Sequence, residues 1–481
     1  MYLRDLHIRN LKLLRDVHIP FTDGNGEPRK WTVLLGKNGL CKTSILQSIA
    51  LISSGQRRAQ QLANIPSLRD RRSESSTVEI QAEFGFSQSY HAHRTYPDLD
   101  PKPPEPPRLT AKLFLFPGES DFRGTSDFPD HASYLKIISI SPGFPIPVHD
   151  PLSDARSQQL NHWFVAGYGV NRALSDRVLE KAPEDLALFR LESLFGKGSL
   201  IGTGFTDLFQ DVGAKEAVLP AGSKATRTGP FARAYAKTLQ KIFVSPHGLL
   251  PQIGGIDLRG KHGVRRARDL IESRRFDFLI DGQEVRVPAT WLSQGYQGTI
   301  AWIADLVGQI FWEADGLVEA EEMEGIVLLD EIDLHLHPSW QVRLVNALKH
   351  TFPKLQFITT THSPMILPYV RQEELFLVVE DGNGNVTVRA SDQSPMLMTG
   401  SQIYDVFFGI DQVFPSSLRD DVRRYGFLAG DPFRSETEDQ ELRVLKERLE
   451  GNGIKPDWQP LPRQDPQDAT GMLGSTPESK Q

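Results

Sequence analysis

Gly36-Lys-Asn-Gly-Leu-Cys-Lys-Thr43 has the shape of a phosphate-binding loop, G-x-x-x-x-G-K-[ST], with Cys41 standing where the last glycine is expected. Trp31-Thr-Val-Leu-Leu35 ahead of it reads as a buried strand, and Ile45, Leu46, Ile49 and Ile52 behind it recur at helical spacing. Strand, loop and helix therefore follow one another in the order such a loop requires. Gly36, Lys37, Asn38, Gly39, Leu40, Cys41, Lys42, Thr43 and Ser44 are expected to wrap phosphate oxygens with inward-turned N–H groups, helped by the partial positive charge of the helix start. Lys42 would reach the terminal phosphates, and the Thr43 hydroxyl would ligate Mg2+.

The 481 residues suffice for two or three ordinary domains or one large elaborated one. Hydrophobic residues make up 39% and charged residues 24%, close to an average globular protein. No apolar run approaches a membrane span, and the amphipathic start Met1-Tyr-Leu-Arg-Asp-Leu-His-Ile-Arg9 reads as a first strand instead of an export signal, so a cytoplasmic, membrane-free protein is expected. The single cysteine allows no internal disulfide, in keeping with a reducing compartment. A net charge of −7 argues against a globally basic nucleic-acid binder. Local basic clusters at Arg57-Arg58, Arg69 to Arg72, Arg265-Arg266 with Arg268, and Arg274-Arg275 leave DNA contact open.

Val17, Ile19 and Phe21 alternate before the turn Asp23-Gly-Asn-Gly26, which predicts a β-hairpin over the first thirty or so residues and a β-rich lobe over 1–170. Pro101-Lys-Pro-Pro-Glu-Pro-Pro107 interrupts this lobe as an exposed insertion. Helical patches such as Phe231–Lys241, broken by glycine loops, predict a helical insertion over 171–270. Strand patterns return at 276–287, Gly325–Leu329 and Leu355–Thr360, so a second lobe over 271–400 completes a parallel sheet. In 401–481, Ser435 with Glu438 forms a capping box, Leu442, Leu445 and Leu449 make a stripe, and Gly451 closes the helix. Beyond about 455 the composition has little to bury and disorder is expected.

Three further stretches carry chemistry. Gly325-Ile-Val-Leu-Leu-Asp330-Glu331 is an apolar strand ending in two carboxylates; Asp330 would hold magnesium and Glu331 would orient the attacking water. Leu292-Ser-Gln-Gly295 opens an apolar helix, where the Ser293 hydroxyl, Gln294 and the Gly295 amide suit a γ-phosphate. An ordinary Ser N-cap reads the same way when the segment stands alone. Thr359-Thr-Thr-His362 follows a strand, placing an imidazole where it can sense the same phosphate. His335 and His337 stand two apart and could suggest a metal pair or serve structure alone.

In their order, these stretches resemble the ATP-binding-cassette ATPases, specifically the branch that includes chromosome-maintenance (SMC), recombination-repair and OLD-type proteins. Gly36–Thr43 is similar to Walker A, Leu292–Gly295 to the signature, Asp330-Glu331 to Walker B and His362 to the switch histidine. Asp330-Glu-Ile-Asp-Leu-His-Leu-His-Pro338-Ser-Trp-Gln resembles the Walker B and D-loop stretch of OLD-type ATPases over a chain match of about 1–390. The resemblance implies an α/β, ABC-type P-loop fold with a β-rich N-terminal lobe and a helix-flanked parallel sheet. It also implies ATP and Mg2+ as cofactors, with Lys42, Glu331 and His362 catalytic and Thr43 and Asp330 on the metal. Ser293 would act in trans, in a head-to-tail homodimer or a higher even oligomer.

The chain lacks the heptads of coiled-coil arms. Leu375-Phe-Leu-Val-Val-Glu-Asp-Gly382 resembles the first strand of a TOPRIM nuclease, but no Asp-x-Asp strand follows, and no glutamine stands out as a Q-loop residue. Arm-less ATPases of this kind resemble the ATPase subunits of bacterial antiphage systems such as Septu and retron-linked modules, which implies a separate effector partner such as a nuclease. Two alternatives stay open: a DNA-repair ATPase resembling the RecF group, and a nucleotide-gated scaffold without turnover. Cys41 favours the scaffold if its side chain crowds the phosphates and weakens hydrolysis. As a thiol at a helix start beside Lys42 it is also open to oxidation; a neutral substitution is the simplest reading.

Overall fold

A computed structural model describes residues 1–70, 72, 75–86, 108–128, 151–157, 163–172, 185–197, 200, 230–244, 248–249, 253–257, 275–280, 283–288, 294–313, 319–410, 416–455 and 459–463. The chain divides into two compact units, Met1–Met398 and Thr399–Gln481.

Strand β1 (Tyr2–Leu11) alternates buried and outward residues and pairs antiparallel with β2 (Leu14–Pro20). The hairpin turns at Lys12 and Leu13, with Asn10 and Lys12 at φ 54 and 52, whereas the Asp23–Gly26 turn closes only a small Thr22–Pro28 bridge after β2. The expected hairpin is therefore present, but turns at Lys12–Leu13 instead of Asp23–Gly26, without the glycine that usually marks such a site. Among the described residues, β1 and β2 join β4 (Val78–Gly85), β5 (Arg108–Leu115) and β6 (Arg123–Asp127) in an antiparallel sheet ordered β2-β1-β4-β5-β6. Its inner face supplies Leu6, Ile8, Ile80, Ala82, Leu113 and their neighbours to one core. That core also receives Ile45, Leu46, Ile49 and Ile52 from helix α1 (Lys42–Leu62), which kinks at Gly55.

The second sheet is mixed, ordered β14-β13-β3-β12-β11-β7. Its parallel strands are β3 (Trp31–Gly36), β7 (Val165–Tyr168), β11 (Gly325–Leu329), β12 (Leu355–Thr361) and β13 (Leu375–Glu380), and β14 (Val386–Ala390) returns antiparallel. β3, β7, β11 and β12 are almost wholly buried; β3 and β11 accordingly read as apolar runs, whereas β12 buries Gln356, Thr359, Thr360 and Thr361 as well. Gln356, itself fully buried on β12, joins the sheets: its Oε1 accepts from Leu3 N at 2.7 Å, and its Nε2 donates to Leu3 O at 2.9 Å and Arg29 O at 3.0 Å. The TOPRIM-like stretch is the β13–β14 hairpin, closed by an Asp381–Gly384 turn and completing this sheet beside β3.

Within 171–270 the described residues include helices α3 (Leu186–Glu192) and α4 (Pro230–Phe243), and also β8 (Ile253–Asp257). β8 pairs with β9 (Arg275–Ile280), which pairs in turn with β10 (Gln283–Pro288), so the insertion contributes a strand as well as helices. A short helix, α2 (Pro151–Ser157), precedes β7, and the long apolar helix α5 (Gln294–Glu313) follows β10. α6 (Pro338–Thr351) connects β11 to β12. The proline-rich insertion at 101–107, Ser293 and the segment beyond 463 lie outside the described residues.

In the second unit, α7 (Gly400–Phe408), α8 (Ser416–Gly430) and α9 (Glu436–Gly451) follow one another. Ser435 and Glu438 do form a capping box, and Leu442, Leu445 and Leu449 pack against Tyr425 and Leu428 of α8. Asn452 caps α9, and the left-handed conformation after it falls at Gly453 instead of Gly451. Residues 459–463 are ordered against this pair: Leu461 N donates to Ala429 O at 2.9 Å and Arg434 Nη1 to Leu461 O at 2.8 Å.

Candidate functional site

Parallel pairing in the register Val33–Thr359 and Leu35–Thr361 brings the C-terminal ends of β3 and β12 level, and β11 ends beside them at Leu329. Residues that follow these strands therefore meet at one edge of the sheet. Gly36 lies against β13, where a Cβ would come within 2.4 Å of Val378 O; only glycine lets the chain leave β3 here. Gly39 then takes φ 83 in open space. Cys41, the residue before α1, is also left-handed, at φ 59 and ψ 20, with no side-chain cap. The family's usual glycine is explained by this conformation, which costs a residue with a Cβ about 1–2 kcal/mol. The departure at Cys41 thus carries backbone strain, and its partly buried side chain packs against the core.

Lys42 is buried, and its ammonium donates to Gly36 O at 2.8 Å and Lys37 O at 2.9 Å, holding it across the mouth of the loop. Burial pushes its pKa down, against the opposing pull of Asp330, Glu331 and Asp333. Thr43 Oγ1 donates to Asp330 Oδ2 at 2.8 Å, and Thr360 Oγ1 donates to Asp330 Oδ1 at 2.6 Å. Ser44 accepts a 2.9 Å hydrogen bond from Lys12 Nζ. The adjacent Glu331 stands at φ 47, and its N–H donates to Thr360 Oγ1 at 2.7 Å. Thr360 is thus a strut between the end of β12 and both acids. Thr361 Oγ1 likewise donates to Asp333 Oδ1 at 2.5 Å, and the next residue is His362. Burial, then the Lys42 charge, lowers the His362 pKa below its usual 6.5.

The donor set fits magnesium. Thr43 and Asp330 offer a hydroxyl and a carboxylate oxygen already in contact, hard ligands that Mg2+ takes together with substrate phosphates instead of in an all-protein cage. No group of three or more His, Cys, Asp or Glu is arranged to hold a metal among the described residues. His337 serves structure, its Nδ1 accepting from Ser339 N at 3.3 Å as the N-cap of α6. Gln294 and Gly295 form the start of α5. The fold thus brings together Gly36–Ser44, Asp330, Glu331 and His362.

Sequence reasoning missed Arg172. It follows β7 on the far side of β11, is nine-tenths buried, and reaches the two acids from behind. Its Nη2 donates to the carbonyls of Asp330 and Glu331, the latter at 2.7 Å, and its Nε to Gly169 O at 2.9 Å. Burial brings its pKa down to about 10, resisted by the carboxylates of Asp330, Asp333 and Glu331. The only local signal was Trp163-Phe-Val-Ala-Gly-Tyr-Gly-Val-Asn-Arg172, an apolar strand ending in a cation.

Residues 31–367 match the family described as "AAA domain, putative AbiEii toxin, Type IV TA system". A "Septu protein PtuA" of Bacillus mycoides (strain KBAB4) is 25% identical over 458 residues, 93% of this chain and 50% of that protein. A "Retron Ec83 probable ATPase" of Escherichia coli is 39% identical over 143 residues, 30% of this chain and 24% of that protein. The chain spans half the length, or less, of these curated relatives. An SMC head solved with the C-winged helix domain of ScpA aligns over 83% of this chain and 100% of that one, at 16% identity and a TM-score of 0.46.

Proposed function

The chain belongs to this AAA-domain family, and we propose that it is a Mg2+-dependent ATPase that dimerises head-to-tail around ATP and controls a separate effector, such as a nuclease, in bacterial antiphage defence. One observation carries the ATPase reading: the Thr43 hydroxyl and the Asp330 carboxylate, from motifs at opposite ends of the unit, are in contact at 2.8 Å. The antiphage role rests on likeness to the PtuA and retron proteins alone.

Bound Mg2+ would neutralise charge at the terminal phosphates. Thr43 and Asp330 would hold it. Lys42 would exchange its two carbonyl partners for phosphate oxygens, a charge-assisted contact stronger than the neutral ones it leaves. Glu331, whose N–H is fixed by Thr360, would orient and polarise the attacking water, with the His362 imidazole close to the same phosphate. Ser293, Gln294 and Gly295 would close over the ATP of the partner subunit. Strain at Cys41 favours, as a second reading, a nucleotide-gated scaffold in which binding persists and turnover is slow.

Phosphate release from ATP, measured for the wild type and Lys42→Ala, tests the enzyme reading. Light scattering of Glu331→Gln with ATP and Mg2+ tests the dimer. Turnover abolished by Lys42→Ala and a doubled mass for Glu331→Gln are expected; a wild type that binds ATP without releasing phosphate leaves the scaffold.

A further inference from the structure

We propose that Arg172 is a positioning residue for Asp330 and Glu331, and that Tyr168 ties it to helix α5, so that the placement of the water-orienting carboxylate follows the position of that helix. This rests on the ATPase reading above. Glu331 is held in a left-handed conformation that its side chain disfavours, so something must fix its backbone. Its N–H is held by Thr360; its carbonyl accepts from Leu334 N at 3.0 Å and, together with that of Asp330, from one guanidinium, that of Arg172. Arg172 Nε is anchored in turn on Gly169 O, and Gly169 directly follows Tyr168.

Tyr168 is buried and faces α5. Its ring packs on Trp302 with centroids 5.6 Å apart, and its hydroxyl donates to Asp305 Oδ2 at 3.0 Å. A second tie holds the far end of α5, where Arg190 Nη1 of α3 donates to Glu313 Oε2 at 2.8 Å with both side chains nearly buried. α3 packs on β7, the strand that ends at Tyr168. A shift of α5 along its axis would therefore load the Tyr168–Gly169 backbone, and with it Asp330, both directly through the 2.9 Å hydrogen bond from Asp330 N to Tyr168 O and through the Arg172 contacts to the two carbonyls. The guanidinium fork suits this task because one planar group reaches several acceptors in fixed geometry, which an ammonium cannot do. Gln294 and Gly295 lie on the same helix, so whatever engages its start is in mechanical reach of Glu331.

Steady-state ATPase kinetics and ATP titration calorimetry on full-length wild type, Arg172→Lys, Arg172→Met and Tyr168→Phe test the proposal. For Arg172→Met, kcat should fall about 100-fold, as expected for a displaced reacting group, while ATP affinity and KM stay within about threefold. Arg172→Lys should recover only part of the loss. Tyr168→Phe removes a single hydroxyl and keeps the packing; kcat should fall about tenfold, the worth of one hydrogen bond to a charged group. Equal losses in kcat and ATP affinity, or unchanged kcat in Tyr168→Phe, overturn the proposal, the latter deciding it even if the Arg172 variants fail to fold. A wild type without turnover counts against the ATPase reading instead; amide hydrogen exchange at Glu331–Asp333, faster in Tyr168→Phe only if the tie is real, then decides the linkage separately.

Discussion

Thr43 Oγ1 donates to Asp330 Oδ2 at 2.8 Å across 287 residues of chain, so each side chain is held ready by the other before any cation arrives. Thr43→Val should keep the fold and weaken Mg2+-ATP binding about tenfold, as one lost polar contact implies. Calorimetry with and without a magnesium chelator checks this. In wild type the chelator should cause at least the same loss; in Thr43→Val it should add little. Equal chelator sensitivity in both proteins would remove Thr43 from the metal.

Cys41 concerns conformation, and that separates two substitutions usually treated alike. Cys41→Ala keeps a Cβ at φ 59, whereas Cys41→Gly removes it. Cys41→Gly should be more stable than Cys41→Ala by about 1 kcal/mol in thermal or urea unfolding, the left-handed penalty less the extra chain entropy of glycine. Its ATP affinity should rise in the same direction. Indistinguishable midpoints for the two variants would show that the loop relaxes without cost.

The lowered pKa of His362 fixes the sign of an acid-side effect. The folded protein favours the neutral ring, so its contribution to stability is complete above the unfolded value near 6.5 and is lost as pH falls from there through the folded pKa. Unfolding midpoints of wild type and His362→Gln, measured from pH 7.5 to 5, should converge as the pH drops. Parallel curves would assign the shift no energetic weight.

Gln356 is wholly buried and makes three hydrogen bonds to main chain. Gln356→Leu is close in volume but strands Leu3 N, Leu3 O and Arg29 O, which should cost about 2–4 kcal/mol. Denaturant unfolding measures it; a loss under ~1 kcal/mol would mean that water or a local shift replaces the amide.

In the second unit, Leu449→Ala should destabilise α8 and α9 by about 2–4 kcal/mol, and Ser435→Ala by about 1 kcal/mol through the lost cap. Amide exchange over 416–451 resolves both.

Much of the site was legible because its parts are short and locally dense. Gly36–Thr43 announces itself within eight residues, and Asp330-Glu331 follows an apolar run that has nowhere to go but a buried strand. Arg172 gave no such sign, since its role lies in two carbonyls about 160 positions away, and main-chain acceptors leave no mark in a sequence. The Lys12 turn was misplaced because an ordinary lysine adopts the conformation that glycine advertises. β8 lies within the stretch expected to be helical because the two glycines of Ile253-Gly-Gly-Ile-Asp257 interrupt any readable period, and pairing with β9 makes it a strand. The β13–β14 hairpin looked like the opening of another domain because an apolar strand ending in acids is shared by many folds.

The place of β3 between β12 and β13 has a consequence for biosynthesis. Both neighbours are made more than three hundred residues after it, and at ~5–20 residues per second the carboxylate that meets Thr43 emerges about 15 s to 1 min after Thr43 does. For that interval the nascent chain carries an apolar strand with two bare edges, while β1, β2, β4, β5 and β6 can already close their own sheet over α1. The antiparallel lobe is then the part able to shelter the loop during translation, and damage to it would appear first as aggregation at the ribosome and only later as lost catalysis.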